Sequence, residues 1–138
     1  MKKLLILAAV LVGCHMAQAQ MGLATTALPL AAKINANKTV YRDFTLYRYS
    51  TDGIIYKAYY NNRGGWLYTI LSYAEGNLPA SIRNKVNSAY DNYRITWVDE
   101  IRAPGRAAVY RVQLNSCHKF VIVQVNEEEM AQEAEYNQ

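Results

Sequence analysis

The stretch LPASIRNKVNSAYDNYRITWVDEIR, residues 78–102, places a helical pattern directly before a strand pattern, and the fold reading is built outward from it. Pro79 suits the first turn of a helix, where its missing N–H would have no partner in any case. Ile82, Val86 and Tyr90 then recur every four residues, with Arg83, Asn84, Lys85 and Asn87 between them. That spacing predicts an amphipathic helix of about three turns. From Tyr93 the period falls to two: Tyr93, Ile95, Trp97 and Ile101 alternate with Arg94, Thr96, Val98, Glu100 and Arg102, interrupted by Asp99 on the apolar side. This is the pattern of a strand with one buried face.

Similar features recur about fifty residues earlier. Leu28-Pro29 answers Leu78-Pro79, Tyr41-Arg42 answers Tyr93-Arg94, Tyr56-Lys57 answers Tyr110-Arg111, and Trp66 answers Phe120, at offsets of 50, 52, 54 and 54 residues. Four markers in one order suggest a tandem duplication over residues 28–75 and 78–125. The first copy contributes a shorter helical pattern at Leu30 to Asn37, then strand patterns at Tyr41 to Tyr49, Ile54 to Tyr60 and Trp66 to Tyr73. Thr51-Asp52-Gly53 and Asn62-Arg63-Gly64-Gly65 separate these as turns. The second copy adds strands at Tyr110 to Leu114 and Phe120 to Val125.

Turns this short join antiparallel neighbours, because a parallel return needs a crossover of a dozen or more residues. The expected fold is therefore α+β: tandem helix-strand-strand-strand repeats forming an antiparallel sheet with both helices on one face. The opposite face is expected to stay open to solvent. The Glu-rich tail, residues 127–138, is expected to be a frayed helix or unstructured.

The 138-residue chain is 51% hydrophobic and 19% charged, with 7 Gly and 3 Pro, which excludes collagen-like, disordered and multidomain classes. Its start has the form of an export signal: Lys2-Lys3, the apolar run Leu4 to Val12, and Ala17-Gln18-Ala19 as a cleavage site. Residues 1–19 are thus expected to be removed, leaving 20–126 as the domain. Leu11-Val12-Gly13-Cys14 spells a competing lipobox, in which Cys14 would be acylated. The run of nine apolar residues is too short to anchor in a bilayer as a helix. Both cleavage sites imply a periplasmic or secreted protein, with a membrane-attached lipoprotein as the alternative.

Residues 20–126 carry thirteen Lys and Arg against six Asp and Glu, while five Glu crowd the last twelve residues. A basic body with an acidic tail suits acidic partners or binding of its own tail. Nucleic acid is not an expected partner of an exported chain whose Arg residues are spread along strands.

Catalytic chemistry has few candidates. Cys117 and His118 are adjacent, so on a strand they would face apart. Cys117 is expected to be buried, the commonest fate of an odd exported thiol. Asp99 and Glu100 likewise face apart and are expected to pair with Arg94, Arg102 or Arg111 across strands. Metal-ligand and phosphate-loop spacings are missing from the sequence, and no cofactor is expected. What stands out is Tyr: 12 residues, against 2 Trp and 2 Phe. Simple alternation puts Tyr56, Tyr60, Trp66 and Tyr68 on a parity different from Tyr59 and Tyr73, so both faces carry aromatic area. Tyr suits protein-binding surfaces and also stabilises sheets.

The pattern Tyr56-Lys57-Ala58-Tyr59-Tyr60, a Gly turn, Trp66, Leu78-Pro79, a helix to Tyr90, Tyr93-Arg94-Ile95 and Val98-Asp99-Glu100-Ile101 resembles the bacterial secreted PepSY-like, or β-lactamase-inhibitor-like, proteins. The resemblance spans Leu28 to Val125. It implies an exported helix-plus-sheet repeat without enzymatic activity and with an inhibitor-like or protein-binding role. The expected function is a non-catalytic binding module that holds a protein or peptide of the cell envelope on the open sheet face through Tyr59, Trp66, Tyr68, Arg94 and Trp97. The alternative is a lipid-anchored structural envelope protein.

Overall fold

A computed structural model describes residues 36–137. They form an eight-stranded sheet whose strands follow one another in chain order: β1 (Asn37–Val40), β2 (Phe44–Thr51), β3 (Ile54–Asn61), β4 (Trp66–Tyr73), β5 (Arg94–Arg102), β6 (Val109–Asn115), β7 (Lys119–Val125) and β8 (Met130–Asn137). Every neighbouring pair is antiparallel. Between β4 and β5 the chain leaves the sheet through a 3-10 turn (Glu75–Asn77) and one helix, α1 (Ala80–Ala89).

α1 starts behind Pro79, as the sequence predicts, and buries Ile82 and Val86. Together with Leu78 they pack on Leu71 and Tyr73 of β4, Val98 of β5, Val112 and Leu114 of β6, and Val121 and Val123 of β7. The Arg83 guanidinium ties α1 to the preceding turn by donating to the carbonyls of Glu75, Gly76 and Leu78. Lys85 donates to the carbonyls of Asn126 and Glu127, which fastens the helix to the β7–β8 turn.

The turns follow their composition. Asp52 and Gly53 both have positive φ, 50° and 74°. That is the requirement of a two-residue hairpin turn whose twist matches its strands. In the β3–β4 turn the Asn61 side-chain oxygen accepts from the Arg63 and Gly65 amides.

The expected pair of helix-strand-strand-strand copies, with both helices on one face, is overturned. A single sheet of eight strands carries one helix among the described residues. Asn37, the last residue of the helix expected over Leu30 to Asn37, opens β1; residues 30–35 of that segment lie outside the described residues. The same holds for the signal segment 1–19 and the Cys14 lipobox. The paired markers are not equivalent in three dimensions. Tyr41 is exposed between β1 and β2, whereas Tyr93 packs against the core; Trp66 lies on the helix side of the sheet, whereas Phe120, beside Val121, turns to the other side.

The acidic segment is a strand, not a frayed or unstructured tail. β8 pairs with β7 along its length, and Glu133 and Glu135 form ion pairs with Arg111 and Lys119. These pairs, with the Val125–Met130 register at the hairpin end, explain how so polar a segment joins the sheet.

Candidate functional site

The strand register divides the side chains between two faces. The helix side carries the main core and, farther toward β2, a second cluster of Ala58 and Tyr60 with Tyr47, Tyr49 and Trp66 packed around them. Tyr49 and Tyr56 join the two clusters by stacking at 4.5 Å with planes 9° apart. No described element packs over the opposite side, which bears Phe44, Leu46 and Arg48 of β2, Lys57 and Tyr59 of β3, Tyr68, Ile70 and Ser72 of β4, and Trp97, Asp99 and Ile101 of β5, with Leu46 and Ser72 buried among their neighbours.

Two bulges decide this division. The register shift at Tyr59/Tyr60 makes Leu67 an extra residue, so Tyr60 pairs with Trp66 and Tyr59 with Tyr68. A second shift makes Thr96 extra in β5, so Ile95, Val98 and Glu100 face the helix while Trp97, Asp99 and Ile101 face away. An extra residue inverts the alternation beyond it. This corrects two sequence expectations: Tyr68 shares a face with Tyr59, and the buried side of β5 bears Val98 and Glu100.

On the open face the rings of Tyr41, Phe44, Tyr59 and Tyr68 form a continuous row. Tyr41 stacks on Phe44 at 4.5 Å, Phe44 lies 5.6 Å from Tyr59, and Tyr59 stacks on Tyr68 at 4.5 Å with planes 22° apart. Rings that stack on one another use their faces internally and leave edges and hydroxyls for outside contact. Such a row suits an amphipathic protein surface better than a flat substrate laid over ring faces. Burial and the neighbouring Tyr68 raise the Tyr59 hydroxyl above its ordinary pKa, with Arg48 acting in the opposite sense, so the hydroxyl stays protonated as a donor at neutral pH.

Of the five expected contact residues, Tyr59 and Tyr68 come together. Trp97 lies on the same face but on β5, half-buried and opposite Gln113. Trp66 is on the other side, packed on the Ala58 and Tyr60 cluster with its indole N–H donating to Thr69 at 2.9 Å. Arg94 is exposed at the start of β5, where it helps line a cleft of about 530 Å³ with Asp91, Asn92, Tyr93, Thr96, Asn115, Ser116 and Cys117. Sequence reasoning missed Tyr41, Phe44, Arg48 and Lys57. The two-residue Asp52-Gly53 turn fixes the β2–β3 register and would have placed Arg48 opposite Lys57 and Leu46 opposite Tyr59.

Of the pairs expected for Asp99 and Glu100, Glu100–Arg102 forms, along one strand rather than across two. Asp99 accepts from the Ser72 hydroxyl at 2.6 Å and stands opposite Arg111, which in turn binds Glu133 at 2.7 Å. Glu100 is 5% exposed; it binds Arg102 two residues along its own strand at 2.5 Å and accepts from the Tyr73 hydroxyl at 2.7 Å. Arg94 joins neither acid. Burial, then the hydrogen bond and charge of Glu100, push the Tyr73 pKa far up.

Cys117 and His118 occupy the β6–β7 turn, and both are exposed, contrary to the buried thiol expected. The turn is organised by Ser116, whose hydroxyl accepts from the His118 and Lys119 amides. Among the described residues no group of three His, Cys, Asp or Glu could hold a metal ion, and no helix is long and apolar enough to cross a membrane.

No family model and no curated protein matches the chain. Among solved structures the chain is similar to a DUF2874 family protein from Bacteroides ovatus, with a TM-score of 0.59, 14% identity and 74% of each chain covered. It is also similar to a DUF2874 family protein from Bacteroides uniformis, at 0.59 and 9% identity, covering 74% of this chain and 76% of that one. At such identities the likeness concerns the fold.

Proposed function

We propose that this protein is an exported, non-catalytic binding module that holds a protein or peptide of the cell envelope on the open face of its sheet. The observation that carries the reading is the row Tyr41, Phe44, Tyr59 and Tyr68 beside Leu46, Ile70, Arg48 and Lys57, on a side over which no described element packs. Aromatic and Arg side chains set among apolar neighbours make the contacts that dominate protein interfaces. The resemblance to PepSY-like secreted proteins supports an inhibitor-like role. Residues 1–19 supply the export signal, and the mature chain starts at Gln20.

The test is capture of an envelope partner by the wild-type chain and by a Tyr59→Ala/Tyr68→Ala variant. Loss of capture with little change in melting temperature supports the reading. Unchanged capture, or a collapse of the fold, assigns these rings to sheet stability instead. The mass of the exported protein checks the start, because an acylated Cys14 would place the chain on a membrane.

A further inference from the structure

We propose that Arg48 and Lys57 form a carboxylate-binding subsite on the open face, and that the partner presents there an acidic peptide segment flanked by apolar side chains. This rests on the open face being the contact surface and names the chemistry that it recognises.

Arg48 of β2 and Lys57 of β3 are directly opposite one another on that face. Like charges in this position destabilise a sheet. The usual remedy is an acidic neighbour, and here there is none: the three ion pairs among the described residues, Arg102–Glu100, Arg111–Glu133 and Lys119–Glu135, all lie in β5 to β8. Lys38, Arg42, Arg48, Lys57 and Arg63 of the β1–β3 region take part in none of them, with Asp43 and Asp52 the acids of that region. Arg48 and Lys57 thus lie opposite one another without a carboxylate partner among the described residues, whereas Lys38 lies over the Tyr47 ring at 6.0 Å.

The surroundings define the ligand. The register places Leu46 and Tyr59 on one side of the pair, and Ile70 follows Lys57 on β4, with Ile101 next on β5. Arg48 and Tyr59 stand diagonally across the β2–β3 pair on the same face, because Arg48 is opposite Lys57 and Tyr59 opposite Leu46. A carboxylate would accept from Arg48, Lys57 and Tyr59 together, while apolar neighbours of that carboxylate rest on the partly buried Ile70 and Ile101. Hydrogen bonds from charged donors to a carboxylate are the stronger kind.

The probe is an acetylated octapeptide alternating Glu and Leu, titrated into the purified protein beside its Gln-for-Glu counterpart and phosphatidylglycerol vesicles. The acidic peptide is expected to bind and to weaken as salt is raised. An Arg48→Gln/Lys57→Gln variant should lose about tenfold or more in affinity, while Arg48→Lys, which keeps the charge, retains most of it. The melting temperature of the double variant should hold or rise, because a repulsive pair is removed. Equal binding of the Gln peptide, unchanged binding by the double variant, or binding of vesicles alone overturns the proposal. If the Tyr59→Ala/Tyr68→Ala variant loses its envelope partner while Arg48→Gln/Lys57→Gln keeps it, the contact face stands and the carboxylate subsite falls.

Discussion

The Tyr73–Glu100–Arg102 group shows at residue scale what alternation conceals. A carboxylate placed in a core is tolerated when its oxygens are satisfied, and here one oxygen takes Arg102 and the other Tyr73. Tyr73→Phe removes the donor and leaves a buried oxygen unpaired, which should cost about 1–3 kcal/mol in urea unfolding. The same group sets a pH response. Tyr73 in the unfolded chain ionises near 10.0, and in the folded chain much higher. Its contribution is therefore complete below pH 10 and decays above it, because the unfolded chain then binds fewer protons than the folded one. Stability should fall by about 1.4 kcal/mol per pH unit for this residue, more steeply with Tyr110, which is raised by burial as well. Melting curves across alkaline pH check this, and the slope should be shallower in Tyr73→Phe. None of it was legible from the sequence, because the Thr96 bulge that turns Glu100 inward leaves no mark in the hydrophobic pattern.

At element scale the helix and the six inner strands were legible, since their patterns are strong and their turns carry Asp-Gly, Gly-Gly and Pro-Gly. α1 is the clearest case: Ile82→Ala removes a fully buried side chain and should cost about 2–5 kcal/mol by denaturant titration. β8 was illegible because its alternation is masked by Glu, and it is held by its backbone ladder to β7 and by ion pairs to Arg111 of β6 and Lys119 of β7 rather than by its own burial. Deleting residues 127–138 should expose the edge of β7, an apolar strand that buries Val121, Ile122, Val123 and Val125. An uncovered apolar edge pairs with other chains. Size-exclusion chromatography should show association and calorimetry a lowered melting temperature; a monomer of unchanged stability would contradict the role given to β8.

For the whole molecule, the reading of a duplicated chain failed on an instructive point. Tyr and Trp at matched offsets suggested equivalent units, yet Trp66 and Phe120 end on opposite faces and the sheet runs on through β1 and β8. Spacing along a chain reports strands and turns; it does not report which side of a bulged sheet a residue takes. The candidate site was legible in part for the same reason. Alternation puts Tyr59 and Tyr68 on opposite parities, whereas the extra residue Leu67 brings them to one face and leaves Trp66 on the helix side, and the β2 residues that complete the row follow only from the hairpin register. What the assembled sheet adds is polarity: α1 and its core on one side, and on the other an aromatic and cationic surface over which no described element packs.

That two-sidedness is tested most directly by placing a photo-cross-linking benzoylphenylalanine at Tyr68, on the side away from α1, or at Tyr49, on the helix side, in otherwise identical full-length proteins. The account predicts that illumination joins an envelope protein to the chain from position 68 and not from position 49. Cross-linking from position 49 alone, or equally from both, would contradict it.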